Sequence, residues 1–209
     1  MANKINFRLL LISDRKLCTG KTIEETASMA FAAGVKAIQL REKDLSSSKL
    51  LNLAKKLRKS SQKHSASLII NDRLDIALLS GADGVHSPEK GILAKDVKRI
   101  NKNLIVGKSV HSVISAIEAE KNGYDYIIAG PVFRTSSKIK YGKPLGIKLF
   151  KTICHSVNLP VFAVGGINPE RAKKCVKAGA HGVAVIGAIF KSKNVKKTVF
   201  EFKKSLSGL

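Results

Sequence analysis

Short apolar runs recur along the chain at a spacing of roughly 25 residues, and this rhythm constrains the fold more than any other feature. The runs cover residues 7–12, 36–40, 67–70, 82–86, 104–107, 125–129, 159–164 and 182–186. Each is too short for a stable helix, and most are apolar almost throughout. That is the form expected of parallel strands covered on both faces. Between them the apolar period lengthens to that of a helix. After strand two, Leu50, Leu53, Ala54 and Leu57 repeat at helical spacing behind Ser47 or Ser48, either of which can cap the helix. After strand seven, Asn168 is placed to cap, Pro169 fits the first helical position and Gly179 follows the last turn. The inward stripe of that helix is Ala172, Cys175 and Val176, so Cys175 reads as core rather than as a nucleophile.

Eight strand–helix units without a linker predict a single (β/α)8-barrel domain over residues 1–209. A doubly wound open sheet is the alternative, and the strand count favours the closed barrel. A chain of 209 residues buries roughly 70% of its unfolded surface on folding, so it needs no staple. Cys18, Cys154 and Cys175 form no C-x-x-C pair and no even framework, which points to a cytoplasmic setting. The longest uncharged apolar stretches, 158–167 and 182–190, are about half a membrane span. The formal charge of +23 raises the question of a polyanion partner. The lysines, however, recur singly or in pairs without interleaved aromatics. This argues for a solvated lysine-rich surface and an anionic small-molecule site over a nucleic-acid face. A homo-oligomer stays open.

In a barrel of this kind the chemistry belongs where strands end and the following loops begin. Strand two ends in Gln39-Leu40-Arg41-Glu42-Lys43, where alternation along an extended chain aims Gln39, Arg41 and Lys43 to one side as a phosphate clamp. The same residues would also make an ordinary charged turn. Strand three ends in Asn71-Asp72; Asp72 is a candidate ligand for Mg²⁺ together with phosphate oxygens, and Asp75 suits the following helix N-terminus. Ser109, after strand five, can donate to a phosphate or a heterocycle. The loop after strand six offers Thr135, Ser137 and Lys138 to an anion. Gly166 after strand seven, and Ile186 with Gly187 after strand eight, would let backbone N–H groups approach a phosphate. His86 and His111 stand at the same rim without metal-ligand spacing and read as structural or supporting groups.

Taken in order, QLREK, IINDRLD, GADGVH, GKSVH, GPVFRTSSK, AVGGI and GVAVIGAI resemble the motif set of the thiamine-phosphate synthase family over nearly the whole chain. The resemblance implies a transferase that joins hydroxymethylpyrimidine pyrophosphate to thiazole phosphate with Mg²⁺ and releases pyrophosphate. It implies that Gln39, Arg41, Lys43, Asn71 and Lys138 hold the pyrimidine pyrophosphate, that Ser109 faces the pyrimidine and that Asp72 binds the metal. Thr135, Ser137, Gly166, Ile186 and Gly187 would then cradle the thiazole phosphate, with Arg41, Lys43, Ser109 and Lys138 acting in the chemistry. One departure stands out. The family pattern after GVH carries a second metal-binding Asp, whereas residues 87–91 here read Ser-Pro-Glu-Lys-Gly, leaving Glu89 as the available carboxylate. A related thiazole tautomerase carries a catalytic His in the G-H-V-F loop, where this chain has Pro131.

Overall fold

The computed structural model describes residues 5–135 and 143–207. Strands β1 (Leu9–Ile12), β2 (Ala37–Leu40), β3 (Ser67–Asn71), β4 (Gly84–Ser87), β5 (Ile105–Val110), β6 (Tyr126–Ala129), β7 (Val161–Val164) and β8 (Gly182–Val185) pair in sequence order. All the pairings are parallel, and β8 returns to β1 to close the barrel. The open-sheet alternative is thereby excluded. Around the barrel lie α1 (Ile23–Ala32), α2 (Ser47–Lys63), α3 (Leu74–Ser80), α4 (Ala94–Ile100), α5 (Val113–Lys121), α6 (Gly146–His155), α7 (Pro169–Lys177), the short α8 (Gly187–Phe190) and α9 (Val195–Leu206). No described helix is long and apolar enough to cross a membrane.

The near-continuous apolar runs follow from burial on both sides of each strand. Leu9 and Leu11 of β1, Ile38 and Leu40 of β2 and Leu68 and Ile70 of β3 belong to the large core between barrel and helices. Their neighbours Leu10, Ile12, Ala37 and Ile69 belong to a second cluster inside the barrel, with Phe7, Tyr126 and Phe162. Tyr126 meets Phe162 edge to face at 5.6 Å. Gly107, paired with Tyr126 across β5 and β6, makes room for that ring: a Cβ there would sit 2.1 Å from the phenol Cζ. Cys175 is fully buried, as its stripe predicts.

Several boundaries differ from the sequence expectation, each for a local reason. The cap of α2 is Ser46, whose side chain accepts from Lys49 N, rather than Ser47 or Ser48, which already lie in the first turn. β7 begins at Val161 because Pro160 has no N–H to give to the ladder. β4 begins at Gly84, preceded by Asp83, whose carboxylate accepts from Leu68 N at 2.8 Å and from Arg58 at 2.7 Å. β5 runs on to Val110, so Ser109 is a strand residue facing the barrel interior rather than a loop residue. The Asn168 cap and Pro169 of α7 stand as expected, with Asn168 Oδ1 accepting from Arg171 N at 2.8 Å. Asp75 lies in the first turn of α3, where its charge favours the helix N-terminus.

Candidate functional site

The inward alternation of β2 to β5 brings Gln39, Asn71, His86 and Ser109 to one cavity of about 130 Å³ in the barrel mouth. Asp14, Arg41, His111 and Gly130 extend its polar wall, and Ile12, Ile128, Val164 and Ile186 form the apolar lining. Gln39 Nε2 donates to Asn71 Oδ1 at 3.0 Å. Gln39 is only 2% exposed, and its Oε1 is buried without a hydrogen-bond partner among the described residues. An acceptor left so costs about 1–3 kcal/mol, and in a cavity wall it calls for a donor from water, an ion or a ligand. On the far wall, His86 Nε2 lies 2.9 Å from Ser109 Oγ, and its Nδ1 lies 3.1 Å from the Tyr126 hydroxyl. His111 Nδ1 is bonded to the Gly130 carbonyl.

Arg41 is held by a network that sequence reasoning missed. Its backbone N–H donates to Ser13 Oγ at 2.8 Å, and Ser13 Oγ donates in turn to Glu42 Oε1 at 2.7 Å. Glu42 is 6% exposed and also accepts from the Arg15 guanidinium at 3.0 Å. Arg15 extends the chain to Asp44 with both terminal nitrogens. The Arg15 guanidinium, with Lys16, holds the Asp44 carboxyl well below the usual carboxylate range. In the sequence Glu42 stands inside a charged run and gives no sign that it turns back to β1. Lys43 follows in the turn, exposed and outside the residues lining either cavity, because the chain leaves the extended conformation after Leu40.

A second cavity, of about 400 Å³, opens between the ends of β7 and β8 and is lined by Thr135, Gly165, Gly166, Ile186, Gly187 and Lys191, with Leu17 opposite. Gly165 and Gly166 have φ of 96° and 64°, left-handed values that favour glycine. At Gly166 a Cβ would also fall 2.7 Å from the Arg134 carbonyl oxygen, so this glycine serves packing as well as access. Gly187 differs: a Cβ there would meet Leu17 at 3.5 Å and the Lys191 stem at 3.6 Å, ordinary contact distances. Lys191 thus stands over the Gly187 turn, a cation that the sequence reading did not single out. The only signal was its position four residues after Gly187. Val164 and Ile186 line both cavities, so the two adjoin.

The metal candidates lie apart. Asp72 is exposed at the end of β3 with φ of 64°, its N–H donating to the His86 carbonyl at 2.9 Å. A non-glycine residue held there stores about 1 kcal/mol or more, a pattern that concentrates at functional sites. Glu89 is exposed on the turn 88–91, which is closed by Gly91 N–H donating to the Pro88 carbonyl. No group of three or more His, Cys, Asp or Glu is arranged to hold a metal among the described residues. Ser137 and Lys138 lie outside the described residues.

Residues 9–189 match the family described as thiamine monophosphate synthase. The chain is 41% identical to the thiamine-phosphate synthase of Ruminiclostridium cellulolyticum, covering 95% of this chain and 94% of that one. It is 37% identical to the thiamine-phosphate synthase of Clostridium novyi, covering 92% and 95%. Among solved structures it superposes on the thiamine phosphate pyrophosphorylase from Pyrococcus furiosus with a TM-score of 0.87, at 36% identity over 98% of this chain and 96% of that one. The chain therefore belongs to the thiamine monophosphate synthase family.

Proposed function

We propose that the protein is a thiamine-phosphate synthase whose two substrates lie in the two adjoining cavities, hydroxymethylpyrimidine pyrophosphate in the barrel mouth and thiazole phosphate between β7 and β8. The observation that carries this reading is the shared wall of Val164 and Ile186, which sets two anion-compatible cavities side by side for a bond to form between their occupants. In the reaction, the C–O bond to pyrophosphate breaks with its electron pair leaving on oxygen. The thiazole nitrogen lone pair then forms the new C–N bond, giving the thiazolium product. The electron-rich aminopyrimidine stabilises the intervening cation, so no protein nucleophile is needed. What the protein must supply is charge stabilisation on the leaving group and alignment of the two rings.

Gln39 Oε1 offers the acceptor for the pyrimidine amino group, and Asn71, which fixes the Gln39 amide, lies beside the same ligand. Ser109 faces the ring. Arg41, held through its backbone by Ser13, would meet the pyrophosphate, and the family resemblance assigns Lys43 and Lys138 to the same group. Ser137, Thr135, Gly166, Ile186 and Gly187 cradle the thiazole phosphate, and Lys191 adds a cation to that cradle. The donor set fits Mg²⁺, which is commonly held by one or two carboxylates plus substrate phosphate oxygens. Asp72 would hold it, and the ion would neutralise charge on the departing pyrophosphate. Pro131 has no ionisable group at the place where the related tautomerase carries its histidine, which favours the synthase reading. Incubation with both phosphorylated precursors and Mg²⁺ should yield thiamine phosphate and pyrophosphate in equal amounts, and neither product when one precursor is omitted. Absence of thiamine phosphate from the complete mixture would overturn the proposal.

A further inference from the structure

We infer that His86 is a positioning residue which, held by Tyr126, turns the Ser109 hydroxyl proton into the cavity, so that the site presents a donor at Ser109 together with the acceptor at Gln39. The inference rests on the assignment of this cavity to the pyrimidine.

Tyr126 is fully buried inside the barrel, and burial pushes its phenol far above its ordinary pKa, so the oxygen keeps its proton. The ring has little freedom. It packs between Phe7 and Phe162 and fills the space that Gly107 leaves, where a Cβ would come within 2.5 Å of the phenol oxygen. A buried hydroxyl donor is normally satisfied, and His86 Nδ1 stands 3.1 Å away. Once Nδ1 accepts from the phenol, the proton of the neutral imidazole resides on Nε2. That N–H points at Ser109 Oγ, 2.9 Å distant. An imidazolium would give the same result at Ser109, since both ring nitrogens would then donate. Only the neutral tautomer protonated at Nδ1 reverses it.

With one lone pair of Ser109 Oγ occupied by His86, the hydroxyl proton is directed to the cavity that Ser109 lines. Gln39 is fixed in the opposite sense, because its Nε2 is committed to Asn71 and its Oε1 is left to accept. One donor and one acceptor across a cavity match a heterocycle that carries an amino group on one edge and an accepting ring nitrogen on the opposite edge. They penalise the oxo analogue with a protonated ring nitrogen, which reverses that pattern. Tyr126 and His86 thus select among pyrimidines without touching them.

The tautomer is measured first, on uniformly ¹⁵N-labelled full-length protein, by long-range ¹H–¹⁵N correlation. The expected His86 signature is a protonated Nε2 and an accepting Nδ1; a neutral ring with its proton on Nδ1 and a bare Nε2 overturns the inference, whatever the activity. Tyr126→Phe keeps the ring and its packing while removing the donor. It should lower kcat/KM for the pyrimidine pyrophosphate about tenfold, the scale of one lost hydrogen bond, and leave KM for thiazole phosphate unchanged. In a Ser109→Ala background the same substitution should have no further effect. An equal loss for both substrates, or an undiminished loss in the Ser109→Ala enzyme, would show that Tyr126 acts only through stability. Addition of the pyrimidine pyrophosphate should shift the His86 resonances. Formation of thiamine phosphate with those resonances unmoved would overturn the placement of the pyrimidine, while the tautomer result would stand.

Discussion

Replacing Gln39 by Met separates what the site costs the fold from what it gives the reaction. The side chains have similar length, so the change is chiefly one of polarity. Loss of the Gln39 Nε2 bond to Asn71 removes about 1 kcal/mol of net stabilisation. Against that, the substitution abolishes the buried Oε1 that has no partner among the described residues, relieving about 1–3 kcal/mol, and puts an apolar group at a position only 2% exposed. Asn71 is half-buried and can pair with water. The balance lies between zero and about 2 kcal/mol in favour of the variant. Urea denaturation should therefore give an unchanged m-value and a midpoint equal to or above that of the parent. The same change removes the acceptor for the substrate amino group and leaves that donor unpaired, so kcat/KM for the pyrimidine pyrophosphate should fall by roughly ten- to a hundredfold. A variant destabilised by more than about 2 kcal/mol would refute the view that Oε1 is a liability to the free protein. One that keeps the parent kcat/KM would remove Gln39 from the site.

Gly187→Ala meets only ordinary contacts, so it should leave the melting temperature nearly unchanged while raising KM for thiazole phosphate; equal effects on both substrates would indicate a general distortion. Gly166→Ala must instead displace the Arg134 carbonyl from a left-handed position, and calorimetry should show a loss of about 1–3 kcal/mol. The pH dependence of stability should carry a contribution from His181, whose pKa is lowered from 6.5 first by burial. Its contribution is complete above the unfolded value, begins to be lost below it and is gone once pH has fallen through the lowered folded value, because over that window the unfolded state binds the proton more readily. Denaturation curves between pH 7.5 and 5 should flatten in His181→Asn if this holds. Asp72→Asn should abolish most turnover and Glu89→Gln should matter less, with Mg²⁺ binding at millimolar levels to the free protein and tightening with the pyrimidine pyrophosphate. Calorimetric titration showing tight binding without substrate, lost in Glu89→Gln, would identify Glu89 as the second ligand.

The fold was legible because burial on both faces leaves an unmistakable mark: residues such as Leu9 and Leu10 are both apolar although they face opposite cores. The Asn168-Pro169 start of α7 was equally readable, since cap and first-turn chemistry are local. Ser46 was missed in favour of its neighbours because three consecutive serines offer the same cap, and only backbone geometry chooses among them. The rim positions of Asn71 and Ser109 followed from their place at strand ends, and those of Gln39 and Arg41 from period-two alternation, which fails at Lys43, where the chain turns. What could not be read were contacts across the barrel. Glu42 reaches Ser13 and Arg15 at separations of 29 and 27 residues, and His86 reaches Tyr126 at 40. Neither partner advertises the other in sequence, since such pairings depend on strand register rather than on spacing.

With the substrates placed as proposed, the shared wall of Val164 and Ile186 links their two binding equilibria. Whatever either occupant does to those two side chains alters the surface offered to the other, and the resulting coupling free energy must be the same in both directions. If the pyrimidine ring tightens the pocket for thiazole phosphate, then thiazole phosphate tightens the pocket for the pyrimidine by an equal factor. The bulk of two aliphatic side chains at the ends of β7 and β8 thereby sets how strongly each substrate reports on the presence of the other.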